Sequence, residues 1–225
     1  MPAIRERMVS SLVNVSAELA ATVATGLGIP VPPAMPKVLA HPAKPEVVKS
    51  AALSLMALRG DGGIRSRRVA ILVADGVDGK SIATLQAALH AAGAMVHLIA
   101  PRLGPVKPAN GDPFDATGTL ENSAPVLFDG LVLPDGAGGV KTLDGHVEVM
   151  DFISNQFRHG KTLLAIGASQ ALLERAGACA SLASGEPDPG ILIGAAAKAE
   201  RAAADFIAAL GRHRHPEREA GALAP

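Results

Sequence analysis

Between Arg67 and Gly211 the chain alternates short β-branched runs with longer helical stripes, and this alternation constrains the fold more than any other feature of its 225 residues. Short apolar runs without polar alternation belong to strands buried on both faces, and the helices between them are what bury those faces. Five strands are expected, at Val69 to Ala74, Met95 to Ala100, Leu127 to Leu133, Thr162 to Ile166 and Ile191 to Ile193. Ile82, Leu85, Leu89 and Ala92 mark one helical face, and Val149, Met150, Ile153 and Phe157 a second; Ala202, Ala203, Phe206, Ile207 and Leu210 mark a third. The closure that fits is α/β: a flavodoxin-like, doubly wound parallel sheet whose ligand crevice lies beyond the carboxyl ends of the strands. The stretch from Arg102 to Ala124 is rich in Gly, Pro and Asn and longer than a usual connection, so a small hairpin is expected around Ala116 to Leu120.

Ahead of this alternation, residues 1–28 read as a helical pair, with Ile4, Met8, Val9 and Leu12 on one stripe and Leu19, Val23 and Leu27 on the next. Asn14 and Ser16 stand between them as caps, and Gly26 and Gly28 close the second helix. Residues 29–66 hold Pro30, Pro32, Pro33, Pro36, Pro42 and Pro45, a density that imposes an extended connector. A short apolar segment, Val47 to Leu58, follows, and the cluster Arg59-Gly60-Asp61-Gly62-Gly63 is the expected boundary of the sheet domain at 67–211. Residues 212–225 read as a flexible tail. The apolar stripes of the first 58 residues call for a partner surface, so self-association into a homo-oligomer through this segment is one expectation.

A formal net charge of +0 provides no field to gather a polyanion, and with neither Trp nor Tyr the platforms that stack single-stranded bases are missing. Nucleic acid is therefore not an expected ligand. The lone Cys179 cannot form an internal disulfide or a thiolate cage, which fits a reducing compartment. With no leader pattern and no long apolar run, the expectation is a cytoplasmic protein without a membrane partner.

The candidate chemistry stands at the strand ends. After the first strand come Asp75 and Asp78; two carboxylates there would repel a phosphate, and Asp78 reads as a helix cap. After the third come Asp135 and Gly136-Ala137-Gly138, a fragment of a dinucleotide fingerprint with Lys141 in place of its last Gly, read as a tight turn needing positive φ. After the fourth, Gly167-Ala168-Ser169-Gln170-Ala171 approaches the nucleophile-elbow pattern, but no acid and then His follow at usable positions. Ser169 is expected as an ordinary helix-start residue. Cys179 is expected to be an inert, partly buried thiol, and His213 and His215, two apart, a solvated pair unable to chelate. Two enzymatic or signalling alternatives stay open: a hydrolase or glyoxalase using Ser169 or Cys179, and a phospho-acceptor receiver using Asp75, Asp135, Ser169 and Lys198.

Several segments, in order, resemble the C-terminal region of large-subunit haem catalases. They are Arg5-Glu6-Arg7-Met8-Val9, the proline connector, Ser54-Leu55, Arg68-Val69-Ala70-Ile71-Leu72 with Asp75-Gly76-Val77, Phe128-Asp129-Gly130-Leu131-Val132-Leu133-Pro134 and Ser184-Gly185-Glu186-Pro187-Asp188-Pro189-Gly190. In such catalases that domain is similar to the PfpI-type, class I glutamine amidotransferase-like superfamily and is taken to have lost its activity. The resemblance implies a degenerate nucleophile position at Gly167, with Ala168 where active relatives carry the adjacent His. It also implies an accessory domain for stability and assembly, with a chaperone-like role conceivable, and a catalase haem domain as partner. Haem belongs to the parent family, which holds its iron through a Tyr that this chain lacks, so no cofactor or metal is expected here.

Overall fold

The computed structural model describes residues 2–37, 47, 50–53 and 62–221. The chain forms two compact units, Met1–Ala51 and Ala52–Pro225.

In the first unit, α1 (Pro2–Leu12) and α2 (Ala17–Leu27) make a helical hairpin. Ser16 caps α2, its Oγ accepting from the Leu19 N–H, and Gly28 ends it at φ 65, the left-handed conformation that a C′ residue must adopt. The hairpin buries Val9, Ala20 and Ala24 among Leu12, Val13, Val23, Leu27 and Ile29, so the two stripes partly serve each other. Ile4 and Met8 stay 62% and 56% exposed. The start of the connector is not free of the helices. Met35 N–H donates to Ser10 O, Ser10 Oγ donates to Pro33 O, and Asn14 Nδ2 donates to Met35 O at 2.6 Å. Asn14 thus anchors the connector rather than capping a helix. Most of the apolar segment 47–58, and Arg59 to Asp61 of the expected boundary, lie outside the described residues.

The second unit is a six-stranded parallel sheet in the order β5-β2-β1-β6-β7-β8. Its strands are β1 (Arg68–Leu72), β2 (Met95–Ala100), β5 (Gly118–Thr119), β6 (Gly130–Leu133), β7 (Thr162–Ile166) and β8 (Ile191–Gly194), and β3 (Gly104–Val106) pairs antiparallel with β4 (Phe114–Ala116) beside it. The order confirms the doubly wound, flavodoxin-like expectation, while the count is six and not five. The added strand is the edge pair Gly118–Thr119, and the small hairpin falls at 104–116, earlier than expected. The third run starts late because Pro125–Leu127 form a 3-10 turn, after which Asp129 N–H donates to Arg68 O.

Helices α3 (Gly79–Ala91) and α7 (Ala199–Leu210) cover one face around Ile71, Val132, Leu85 and Phe206. Helices α4 (Ala137–Asp144), α5 (Val147–Arg158) and α6 (Gln170–Arg175) cover the other around Leu72, Leu131, Phe152 and Leu163. Every β6 and β7 residue is buried, as strands covered on both faces must be. Ile64 is 2% exposed in the first of these cores and Ser66 N–H donates to Gly93 O, so the end of the expected connector already belongs to the sheet unit.

The segment after α7 corrects the expectation of a flexible tail. Residues 216–221 form a 3-10 turn, His215 is fully buried, and Arg218 pairs with Asp188 where side-chain exposure is 6% and 0%. A single turn carrying an arginine can dock because a buried carboxylate waits at the start of β8. None of the described helices is long and apolar enough to cross a membrane.

Candidate functional site

The carboxyl ends of β1, β6 and β7 bring three βα turns together, and those turns hold Asp75, Asp78, Asp135, Gly167 and Ser169. Each acidic side chain is held by backbone. Asp78 Oδ1 accepts from Lys80 and Ser81 N–H at 3.1 and 3.2 Å, the N-cap expected of it. Asp75 Oδ1 accepts from Lys107 N–H at 2.8 Å. Asp135 Oδ1 accepts from its neighbour Gly136 N–H at 2.7 Å and from Ala168 N–H at 2.9 Å.

The turns are stitched to each other as well. Asp78 N–H donates to Asp135 O at 2.8 Å. Gly76 N–H donates to Lys107 O and Ala109 N–H to Val77 O, both at 2.8 Å, so part of the long 102–124 connection lies along the first turn. Glycines make this closeness possible. Gly136 takes φ 116, the positive value expected of the turn, and a Cβ there would run into Gly76 and Val77 backbone. A Cβ on Gly76 would stand 3.0 Å from Gly138 Cα.

Gly167 is where the third turn leaves its strand. It sits at φ 57 between β7 and α6, the strained strand-to-helix geometry that lifts a nucleophile above a sheet. A Cβ at Gly167 would overlap the carboxylate of Asp135. The space a nucleophilic side chain would leave from is therefore filled by another residue's carboxylate. Ser169 is fully buried; its Oγ accepts from Ile166 N–H at 2.9 Å and donates within reach of Leu133 O at 2.7 Å and Ile166 O at 2.9 Å. That hydroxyl joins the ends of β6 and β7 and presents nothing to solvent.

A cavity of about 410 Å³ remains at this end, where Asp75, Arg102, Thr142 and His146 share its wall with Pro105 and Val106. It brings together one acid, one cation and one imidazole, and of the five strand-end candidates it includes only Asp75. Lys198 is exposed at the foot of α7 and bonds to neither Asp75 nor Asp135 among the described residues, so the receiver-like set is not assembled. Cys179 is exposed, which corrects the expectation of a partly buried thiol; it follows the turn that ends α6. Arg175, the nearest cation in sequence, pairs instead with Asp144. No group of three or more His, Cys, Asp or Glu among the described residues is placed to hold a metal ion.

Sequence reasoning missed the polar cluster at the opposite, amino end of the sheet. His215 Nε2 and Thr162 Oγ1 lie 2.9 Å apart, and burial, with Arg218 and Arg212 nearby, pushes the His215 pKa down to about 4. The solvated His213 and His215 pair is thus half wrong: His213 is exposed and His215 is core. Lys161 is buried, its ammonium donating to Phe128 O and lying 3.4 Å from Pro125 O and Val126 O, and burial pushes its pKa down. The only available signal was the Pro187-Asp188-Pro189-Gly190 run, an acid locked between prolines immediately before a strand.

Residues 65–220 match the model of the C-terminal domain found in long catalases. The chain is 37% identical over 197 residues to Catalase HPII of Pseudomonas aeruginosa, covering 86% of this chain and 26% of that protein. It is 32% identical over 225 residues to Catalase HPII of Pseudomonas putida, covering 98% and 29%. The chain thus spans less than a third of the length of the curated relatives it matches. Among solved structures, the oxidized DJ-1 of Toxoplasma gondii superposes with a TM-score of 0.58 at 18% identity over 70% of this chain and 98% of that one, a likeness of fold.

Proposed function

The chain belongs to the family of C-terminal domains found in long catalases, and from that premise we propose that it is a non-catalytic accessory domain that stabilises and assembles a peroxide-dismuting haem portion. The observation that carries this reading is the Asp135 carboxylate standing over Gly167, held by Ala168 N–H, while Asp78 N–H of the first turn donates to the Asp135 backbone carbonyl. A domain that kept acyl-transfer or glyoxalase chemistry would need a side chain and an open approach at that point. Haem and peroxide chemistry belong, on this reading, to the remaining two thirds or more of such a catalase, consistent with the absence of Tyr here. The exposed outer face of the helical hairpin, Ile4, Met8 and Leu19, is the surface offered to that partner, because burying side chains of this size is worth about 1.5–3 kcal/mol each.

Co-expression tests it. A long-catalase haem portion stripped of its own C-terminal domain should co-purify with this chain and keep its activity longer at raised temperature. Ile4→Asp with Met8→Asp should abolish both effects. Absence of association, together with peptidase or glyoxalase turnover by the chain alone, would overturn the proposal.

A further inference from the structure

We propose that a second cavity, walled by β1, β2, β5 and the turn at 122–128, binds a small aliphatic monocarboxylate. It measures about 390 Å³, within the range of small-molecule sites, and shares no residue with the strand-end turns. Its wall carries one full charge, Arg68, and no acid.

Arg68 is placed over the Phe128 ring, its guanidinium carbon 5.5 Å from the centroid, and its side chain makes no hydrogen bond or ion pair among the described residues. Its Nε is buried without a partner. The local acid is committed elsewhere: one Asp129 oxygen pairs with Arg67 at 3.4 Å and the other accepts from the Arg68 backbone N–H at 2.8 Å. A guanidinium whose Nε is buried and unpaired, on a half-buried side chain, leaves a donor to be satisfied, and a planar carboxylate matches its fork.

Neutral polar groups surround this charge. His97 stacks edge-on against Phe128 with ring centroids 5.5 Å apart, and its Nε2 is buried without a partner. Burial and the adjacent Arg68 lower its pKa, so at neutral pH it contributes hydrogen bonding and no second charge. Ser123 is 7% exposed with a hydroxyl unbonded among the described residues, and Thr119 Oγ1, which accepts from Asn122 N–H, keeps its proton free. The apolar part of the wall is Ile99, Leu103, Leu127 and Phe128, with Leu103 63% and Leu127 46% exposed, and Thr117, Gly118 and Asn122 complete it. One cation selects a monoanion over a phosphate dianion, and the apolar wall selects an aliphatic body.

The experiment titrates the 225-residue chain with butyrate, its neutral isostere butyramide and inorganic phosphate, reading heat by calorimetry and side-chain methyl signals by NMR. Butyrate should bind saturably and shift the Ile99, Leu103 and Leu127 methyls, while butyramide and phosphate stay unsaturated over the same range. Arg68→Gln should weaken butyrate roughly ten- to hundredfold, the scale of a charged hydrogen-bonded pair. Leu103→Glu, an exposed change that leaves the core intact, should weaken it at least several-fold by setting a like charge at the mouth. The proposal is overturned if butyrate does not saturate, if phosphate binds as well, or if Leu103→Glu binds butyrate like the unmodified chain. Should Arg68→Gln fail to fold, Leu103→Glu decides alone.

Discussion

The two ends of the sheet handle polar groups in opposite ways. At the carboxyl end, Asp75, Asp78 and Asp135 are exposed or half-buried and satisfied by backbone amides of tight turns. At the amino end, Asp188, Arg218, Lys161 and His215 are withdrawn from solvent and satisfied mainly by each other and by carbonyls. A ligand crevice in this fold belongs at the carboxyl end, where charge must stay available to a substrate. Here the acids of that end are tied to backbone amides, two of them more than thirty positions away in sequence, and the buried charges hold the last turn of the domain in place. The difference teaches that the charges this unit withdraws from solvent hold residues 215–218 against the sheet, while the acids at the carboxyl end stay near solvent.

The largest effect should come from unlocking that terminus. Arg218 bonds both Asp188 oxygens, donates to Lys161 O at 2.7 Å and to Phe157 O at 3.2 Å, and stacks 4.8 Å from the Phe157 ring centre. Arg218→Ala leaves the Asp188 carboxylate buried and unpaired, and should cost about 3–5 kcal/mol in denaturant unfolding. A loss below 1 kcal/mol would mean the tail is dispensable and the comparison between the two ends is wrong.

The same end should set the response to acid. His215 has its folded pKa pushed down to about 4 from an ordinary 6.5, so the unfolded chain binds the proton first. The His215 contribution to stability is therefore complete above pH 6.5 and is lost as pH drops from there to about 4, a loss of up to roughly 3 kcal/mol. His215→Asn should flatten the slope between pH 6.5 and 5, where ordinary carboxylates do not yet titrate. An unchanged slope in that variant would assign the acid response elsewhere.

The same contrast explains what could be read in the sequence. Thr162–Ile166 was legible to the residue because a strand buried on both faces leaves a nearly unbroken apolar run, and Met95–Ala100, open to solvent at its start, because its β-branched and apolar residues stand between the glycine turn at 93 and Pro101. Asp78 was legible as a cap because capping is local. Gly118–Thr119 was not, since a two-residue edge strand is fixed by its pairing with Ile99 and Ala100 and has no pattern of its own. The tail failed for the same reason. Arg218 finds Asp188 thirty positions earlier, and a polar terminus looks solvated until its partner is placed. At the candidate site, the resemblance singled out Gly167 as a position to inspect, whereas the Asp135 carboxylate over it required the two turns to be seen together.

That filling yields the smallest of the three effects and the one closest to function. Gly167 holds φ 57, which costs a residue with a side chain roughly 1–2 kcal/mol, and a Cβ there also displaces the Asp135 carboxylate from its bond to Ala168 N–H. Gly167→Ala should therefore lose about 2 kcal/mol in all. In an Asp135→Ala background the overlap is gone and only the backbone strain persists, so the second substitution should cost measurably less than in the native chain. Coupling of this sign identifies the Asp135 carboxylate as the group that fills the space over Gly167. Gly167→Cys in the same background then places a thiol with a clear approach, yet Ala168 offers no base to draw its proton, and esterase turnover should stay at the buffer rate. Additivity of the two substitutions would show that the turns relax independently, and turnover by the Gly167→Cys variant would show that the carboxyl end lost only its nucleophile and kept the rest of its machinery.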